Sequence, residues 1–222
     1  MSQAAAFPAP AFPEPVLLWS HEEQDRAGKP LLVLLHGYGS NEADLFSLAG
    51  MLPGEFVVAS LRAPLPAGPG FTWFPLTGSI EYSLEAVKDA AKYVIDWLDS
   101  VKSNHASVTL LGFSMGMAMA TTVLRHRPAE IAAVVGLSGF VVDAGADPDF
   151  RDDELDGTVP LFWGRDQQDP VITPDKIDFT MDWVRKHTDL TKVLYTGMWH
   201  SINQQEIGHV GEFLTHKVLD NS

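Results

Sequence analysis

Cysteine is absent from all 222 residues. That single absence removes disulfides, thiolate metal sites and cysteine nucleophiles, so any covalent chemistry falls to another side chain. A thiol-free chain also suits a reducing compartment, and a cytoplasmic setting is the expectation. Positive charge is scarce: 15 Lys and Arg stand against 29 Asp and Glu, a formal net charge of -14. Such a surface repels phosphate backbones and anionic lipid, which argues against nucleic acid as a partner. Long hydrophobic runs are missing too, and no stretch approaches the roughly 18 consecutive apolar residues of a membrane span. The start, MSQAAAFPAPAFPEP, has no basic segment and is broken by Pro8, Pro10, Pro13 and Pro15, so it does not read as a signal peptide. Residues 1–15 are expected to form a flexible Pro/Ala-rich arm, with Phe7 and Phe12 available to touch the rest. Residues 16–222, within a chain that is 45% hydrophobic, are enough for a single globular domain.

What is present is an alternation. Short apolar runs at 31–37, 56–60, 108–112, 131–139, 159–164 and 192–197 carry no polar alternation, and most end in glycine. Runs of that kind suit strands covered on both faces. Between them lie helical patterns: apolar residues at Leu84, Val87, Ala91, Val94, Ile95, Leu98 and Val101, and the stretch from Met115 to Arg127 that stops at Pro128. Thr173 followed by Pro174 opens a further helix carrying Ile177, Met181 and Val184. Asn203 and Glu206, at capping-box spacing, open the last one, with Ile207, Val210, Leu214 and Val218 on its inner face. The expected fold is therefore α/β, a mostly parallel central sheet with helices on both faces, and ligands bind beyond the carboxyl ends of its strands. The acidic segment 143–157, seven carboxylates against Arg151, lacks any regular ligand spacing and reads as a solvated loop.

At one strand end stands Gly-Phe-Ser-Met-Gly, residues 112–116. A serine in a Gly-x-Ser-x-Gly turn is common enough to be only a helix cap. Here the strand before it and the helix after it supply the context of a nucleophile elbow, whose sharp turn leaves room for glycine alone at both outer positions. A serine hydroxyl needs a base oriented by a third group. Of eight histidines only His200 falls in the loop just after the last predicted strand. Asp166 and Asp169 both follow the strand ending at Gly164, and position alone leaves the choice between them open. Serine, acid, histidine is the chain order of the α/β-hydrolase triad, whereas other serine-hydrolase scaffolds use different orders. Oxyanion donors are expected from the backbone N–H groups of Tyr38, in the loop LLHGYGSNEADL, and Met115, next to the serine. His36, in the same loop, reads as a structural residue.

Taken together, LLHGYGSNEADL, the segment from RAPLP to FTWFPL, GFSMG, DPV and GMWHSINQQEI resemble the phospholipase/carboxylesterase family of α/β hydrolases, which contains bacterial carboxylesterases and acyl-protein thioesterases. The resemblance spans about Leu31 to Leu214. It implies that Ser114, Asp169 and His200 form the triad, the aspartate being the one before proline, and that Tyr38 and Met115 take the oxyanion positions. It also places Trp73 and Phe74 at the rim of an acyl pocket, for which Phe71, Met115 and Trp199 are further candidate walls. Two departures stand out: acyl-protein thioesterases have glutamine where this chain has Met115, and aspartate where it has Pro75.

The expected activity is therefore a serine carboxylesterase that cleaves short- to medium-chain or aromatic small-molecule esters through an acyl-enzyme, with no metal or organic cofactor. The short, acidic segment between GLSG and VPLFW leaves no material for a large lid domain. The alternatives with the same catalytic parts are an acyl-protein thioesterase, a lysophospholipase-like hydrolase and a lactonase. An alternative of another class is a non-catalytic binding protein on the same fold.

Overall fold

A computed structural model describes residues 12–78 and 80–220. Its centre is one seven-stranded sheet in the order β1-β3-β2-β6-β7-β8-β9, with a separate two-stranded hairpin, β4-β5. The strands are β1 (Leu17–Trp19), β2 (Leu31–Leu35), β3 (Val57–Leu61), β4 (Leu65–Ala67), β5 (Gly70–Thr72), β6 (Val108–Phe113), β7 (Ala133–Leu137), β8 (Pro160–Asp166) and β9 (Asp189–Tyr195). The helices are α1 (Glu42–Phe46), α2 (Leu84–Val101), α3 (Met115–His126), α4 (Pro174–His187) and α5 (Gln204–Leu214). Every pairing inside the main sheet is parallel except β1 with β3. This is the expected mostly parallel sheet.

Strand β2 shows why. All five of its residues are buried, and successive side chains enter opposite cores. Leu31, Val33 and Leu35 join the cluster built from α2, α3 and α4, whereas Leu32 and Leu34 join the one built with α1 and α5. Helices thus cover both faces, and a continuous apolar run satisfies both at once.

Three local expectations change. Strand β8 does not end at Gly164 but continues to Asp166, pairing Arg165 with Leu194 and Asp166 with Tyr195. Gly164 lies inside the strand because a Cβ there would stand 2.1 Å from the Glu206 carboxyl. The capping box on α5 forms by half: the Asn203 side chain accepts the Glu206 N–H at 2.8 Å, while the Glu206 carboxyl turns inward. It is fully buried, and neither of its oxygens has a hydrogen-bond partner among the described residues. β1 and the β4-β5 hairpin were not apparent in the sequence: each strand is three residues long, and Pro66 and Pro69 interrupt the hairpin's pattern.

The acidic segment is tied down on the flank of the sheet. Buried Arg125 of α3 donates to both oxygens of Asp152 (2.7 and 2.8 Å) and to the Val142 carbonyl (2.6 Å), and Lys88 of α2 reaches Asp147 and Asp149. Of the expected arm, residues 1–11, including Phe7, lie outside the described residues. Phe12 meets Tyr93 of α2 edge-on, with ring centroids 5.5 Å apart. Among the described residues no helix is long and apolar enough to cross a membrane.

Candidate active site

The carboxyl ends of β2, β6, β8 and β9 open toward one cavity of about 350 Å³. Ser114 stands between the last residue of β6 and the first of α3, at φ 56° and ψ -117°. A non-glycine residue with that backbone stores on the order of 1–3 kcal/mol, so the surroundings must impose it. They do so by close approach: a Cβ at Gly112 would lie 2.1 Å from the Gly116 backbone, and one at Gly116 would lie 1.8 Å from the Leu35 carbonyl. The Ser114 N–H donates to the Leu137 carbonyl at 2.8 Å, which pins the turn to β7.

Ser114 Oγ lies 2.9 Å from His200 Nε2, and His200 Nδ1 lies 2.8 Å from Asp169 Oδ2. An ionised carboxylate only accepts, so Nδ1 carries the proton and Nε2 is left to accept from the serine hydroxyl. Burial by itself raises the Asp169 carboxyl, but the hydrogen bonds from His200 and from the Val171 N–H hold it below its ordinary 3.8. Oδ1 takes the N–H groups of Val171 (2.8 Å) and Ile172 (3.3 Å), so Oδ2 is the oxygen left facing the imidazole. The choice left open by position resolves in space: the imidazole's carboxylate partner is Asp169, whereas Asp166 closes β8 and faces backbone N–H groups.

Tyr38 and Met115 both line the cavity beside Ser114. Met115 is the first residue of α3, where leading N–H groups have no partner within the helix and the dipole favours negative charge. Its side chain is buried, with the Thr72 hydroxyl 3.2 Å from the sulfur. The Tyr38 loop is stapled to the hairpin: Gly39 N–H donates to Phe71 O at 2.9 Å, and Phe71 N–H to Ser40 O at 2.8 Å. Asn41 caps α1 by accepting the Ala43 N–H. His36 is fully buried, its Nδ1 at 2.7 Å from Gly37 O and its Nε2 accepting the Ala63 N–H at 3.0 Å. Burial holds its pKa below the ordinary value. With both nitrogens engaged by backbone, it braces the loop as expected.

The aromatic walls are a correction. Trp73 and Phe74 are fully buried: the Trp73 indole donates to the His36 carbonyl at 2.8 Å, and Phe74 packs edge-on against Tyr82. A buried indole N–H is stabilised by an acceptor, and His36 O supplies one to Trp73 inside the core. Phe71 lies under the Arg62 guanidinium, and Trp199 is 56% exposed, outside the cavity wall. Of the expected walls Met115 does line the cavity, joined by Leu76, Ile80, Phe113, Phe140, Val171 and Ile172, with Ser40 and Asp44 on the polar side. Among the added walls Phe113, inside the serine motif, and Val171 and Ile172, directly after the Asp-Pro pair, had a sequence signal, whereas Leu76, Ile80 and Phe140 had none. A larger recess of about 590 Å³ between residues 12–17 and α2 contains none of the candidate residues. Among the described residues, no group of three His, Asp or Glu is arranged to hold a metal ion.

A strained serine within reach of an imidazole, at the carboxyl edge of a sheet in this order, defines a class: serine hydrolases of the α/β-hydrolase fold. Within that class the chain belongs to the phospholipase/carboxylesterase family, whose model it matches over residues 20–218. It is similar to an uncharacterized hydrolase of Saccharomyces cerevisiae, YNR064C, with 24% identity over 167 residues, 75% of this chain and 52% of that one. The chain thus spans about half the length of that relative. It is also similar to acyl-protein thioesterase 1 of Kluyveromyces lactis, with 23% identity over 208 residues, 84% of this chain and 91% of the relative. The Bacillus cereus carboxylesterase has the same fold, with a TM-score of 0.75 at 18% identity over 90% of this chain and 93% of that one.

Proposed function

We propose that this hydrolase is a carboxylesterase that cleaves small esters with short- to medium-chain or aromatic acyl groups through Ser114, His200 and Asp169. The observation that carries the reading is the unbroken line from Ser114 Oγ to His200 Nε2 (2.9 Å) and from His200 Nδ1 to Asp169 (2.8 Å). His200 takes the hydroxyl proton as Ser114 Oγ bonds to the ester carbonyl carbon, and the carbonyl electron pair moves onto oxygen. The N–H groups of Tyr38 and Met115 hold that oxyanion. Collapse of the intermediate breaks the carbon–alkoxy bond, and His200 returns the proton to the leaving alcohol. Water then repeats the sequence on the acyl-enzyme, releasing the carboxylic acid and restoring the serine. Asp169 stabilises the imidazolium formed at each attack.

The acyl preference rests on the cavity. Its volume of about 350 Å³ is near the lower end of the roughly 300–1,000 Å³ usual for small-molecule sites, and its walls are mostly aliphatic and aromatic. The segment 143–157, held against α2 and α3, contributes no residue to it. Hydrolysis of nitrophenyl esters of graded acyl length, beside matching thioesters, tests this reading. The expectation is greatest kcat/KM for short and medium acyl esters and none for Ser114→Ala. Activity persisting in Ser114→Ala overturns the mechanism, a steep rise with long chains overturns the acyl preference, and preference for the thioesters makes the protein a thioesterase.

A further inference from the structure

We infer that Asp166 is the positioning residue of this site: its carboxylate clamps the backbone just before His200 and thereby fixes where the imidazole stands. The assignment rests on the Ser114–His200–Asp169 reading above. Asp166 is the last residue of β8, only 1% exposed, and paired in register with Tyr195, the last residue of β9. Past that point the two strands become two loops, one carrying Asp169 and the other His200. The Asp166 carboxylate joins them. Oδ1 accepts the Gln168 N–H at 2.6 Å, and Oδ2 accepts the N–H groups of Met198 at 2.5 Å and Trp199 at 2.9 Å. One buried charge thus holds three backbone donors drawn from both loops, and these bonds keep the carboxyl below its ordinary value.

The histidine loop needs such a clamp. Trp199, adjacent to His200, sits at φ +60°, and the residue is 56% exposed, so packing of the indole does little to impose that backbone. A non-glycine residue in the left-handed region persists where its neighbours over-determine it. Asp166 supplies the restraint on the near side of His200 through charge-assisted bonds, which are about twice as strong as neutral ones. On the far side the hold is weaker: Ser138, buried at the end of β7, donates from Oγ to the Ser201 carbonyl at 3.1 Å. Asp166 lines no part of the cavity, so its effect passes through the imidazole and not through the substrate.

The test is Asp166→Asn in the full chain, a substitution that keeps the volume and one accepting oxygen. With a nitrophenyl ester, kcat is expected to fall about 100-fold, the loss that a misplacement near 1 Å produces, while KM stays within about twofold. Ser138→Ala should lose less. The strongly deshielded proton resonance of the Asp169–His200 hydrogen bond should broaden or vanish in Asp166→Asn, which a change in stability alone does not produce. A folded variant with kcat within threefold of the parent and an unchanged resonance overturns the assignment, provided Ser114→Ala is inactive in the same assay. Activity in Ser114→Ala would instead discard the underlying mechanism. If Asp166→Asn does not fold, amide hydrogen exchange on the unmodified protein decides: Met198 and Trp199 should be protected despite their loop position, and exchange at unprotected rates overturns the clamp.

Discussion

Glu206→Gln should stabilise this protein, and by an amount that grows with pH. The Glu206 carboxyl is fully buried at the start of α5, over Gly164, without a hydrogen-bond partner for either oxygen among the described residues. Burial pushes its pKa from 4.5 up to about 8. Between those values the folded protein keeps a proton that the unfolded chain releases, so stability falls as pH rises through that window and levels off above it. At about 1.4 kcal/mol for each pH unit, the full cost is about 5 kcal/mol, of which about 3 kcal/mol has accrued by pH 7. Glutamine carries no such cost, and effects of all other groups cancel when the two proteins are compared at the same pH. Urea denaturation followed by tryptophan fluorescence at pH 5, 7 and 9 measures the difference. It should widen in favour of the variant from pH 5 to 7 and again to pH 9. A difference that stays constant across this range would show that Glu206 is ionised and paired in the folded protein, and the reasoning would fail.

Gly116→Ala places a Cβ 1.8 Å from the Leu35 carbonyl, where backbone meets backbone. The expected loss is about 3 kcal/mol or more, read as a fall in the urea midpoint, and an unchanged midpoint contradicts the close-approach account of the elbow. Arg125→Met removes the donors to Asp152 and Val142, which should cost about 3 kcal/mol. Because residues 143–157 wall no part of the cavity, kcat per folded molecule should not change. A large fall in kcat for this variant would mean that the acidic segment reaches the site.

Much of the fold was legible because its central strands are buried on both faces and therefore read as unbroken apolar runs: Leu31 to Leu35 enter two different cores. The elbow was legible for a related reason, since only glycine fits where α3, β6 and β2 meet. What could not be read depends on neighbours remote in sequence. Along the chain Gly164 reads as the close of a strand, yet it is the space vacated for Glu206, 42 residues further on. Trp73 and Phe74 have the composition of a pocket rim, but an acceptor at His36 O takes the indole into the core. The two aspartates near Pro170 look equivalent along the chain. The pairing of Asp166 with Tyr195 at the strand end separates them, one turned to backbone and the other to the imidazole.

On the proposed mechanism Ser114, activated by His200, forms the covalent intermediate. Intact-mass analysis and peptide mapping after treatment with a serine-directed organophosphonate test it most directly. The expected result is one adduct per chain, on the peptide containing Ser114, complete loss of esterase activity on stoichiometric labelling, and labelling slowed by orders of magnitude in His200→Ala. An adduct on another residue, or hydrolysis that survives full labelling of Ser114, would contradict it.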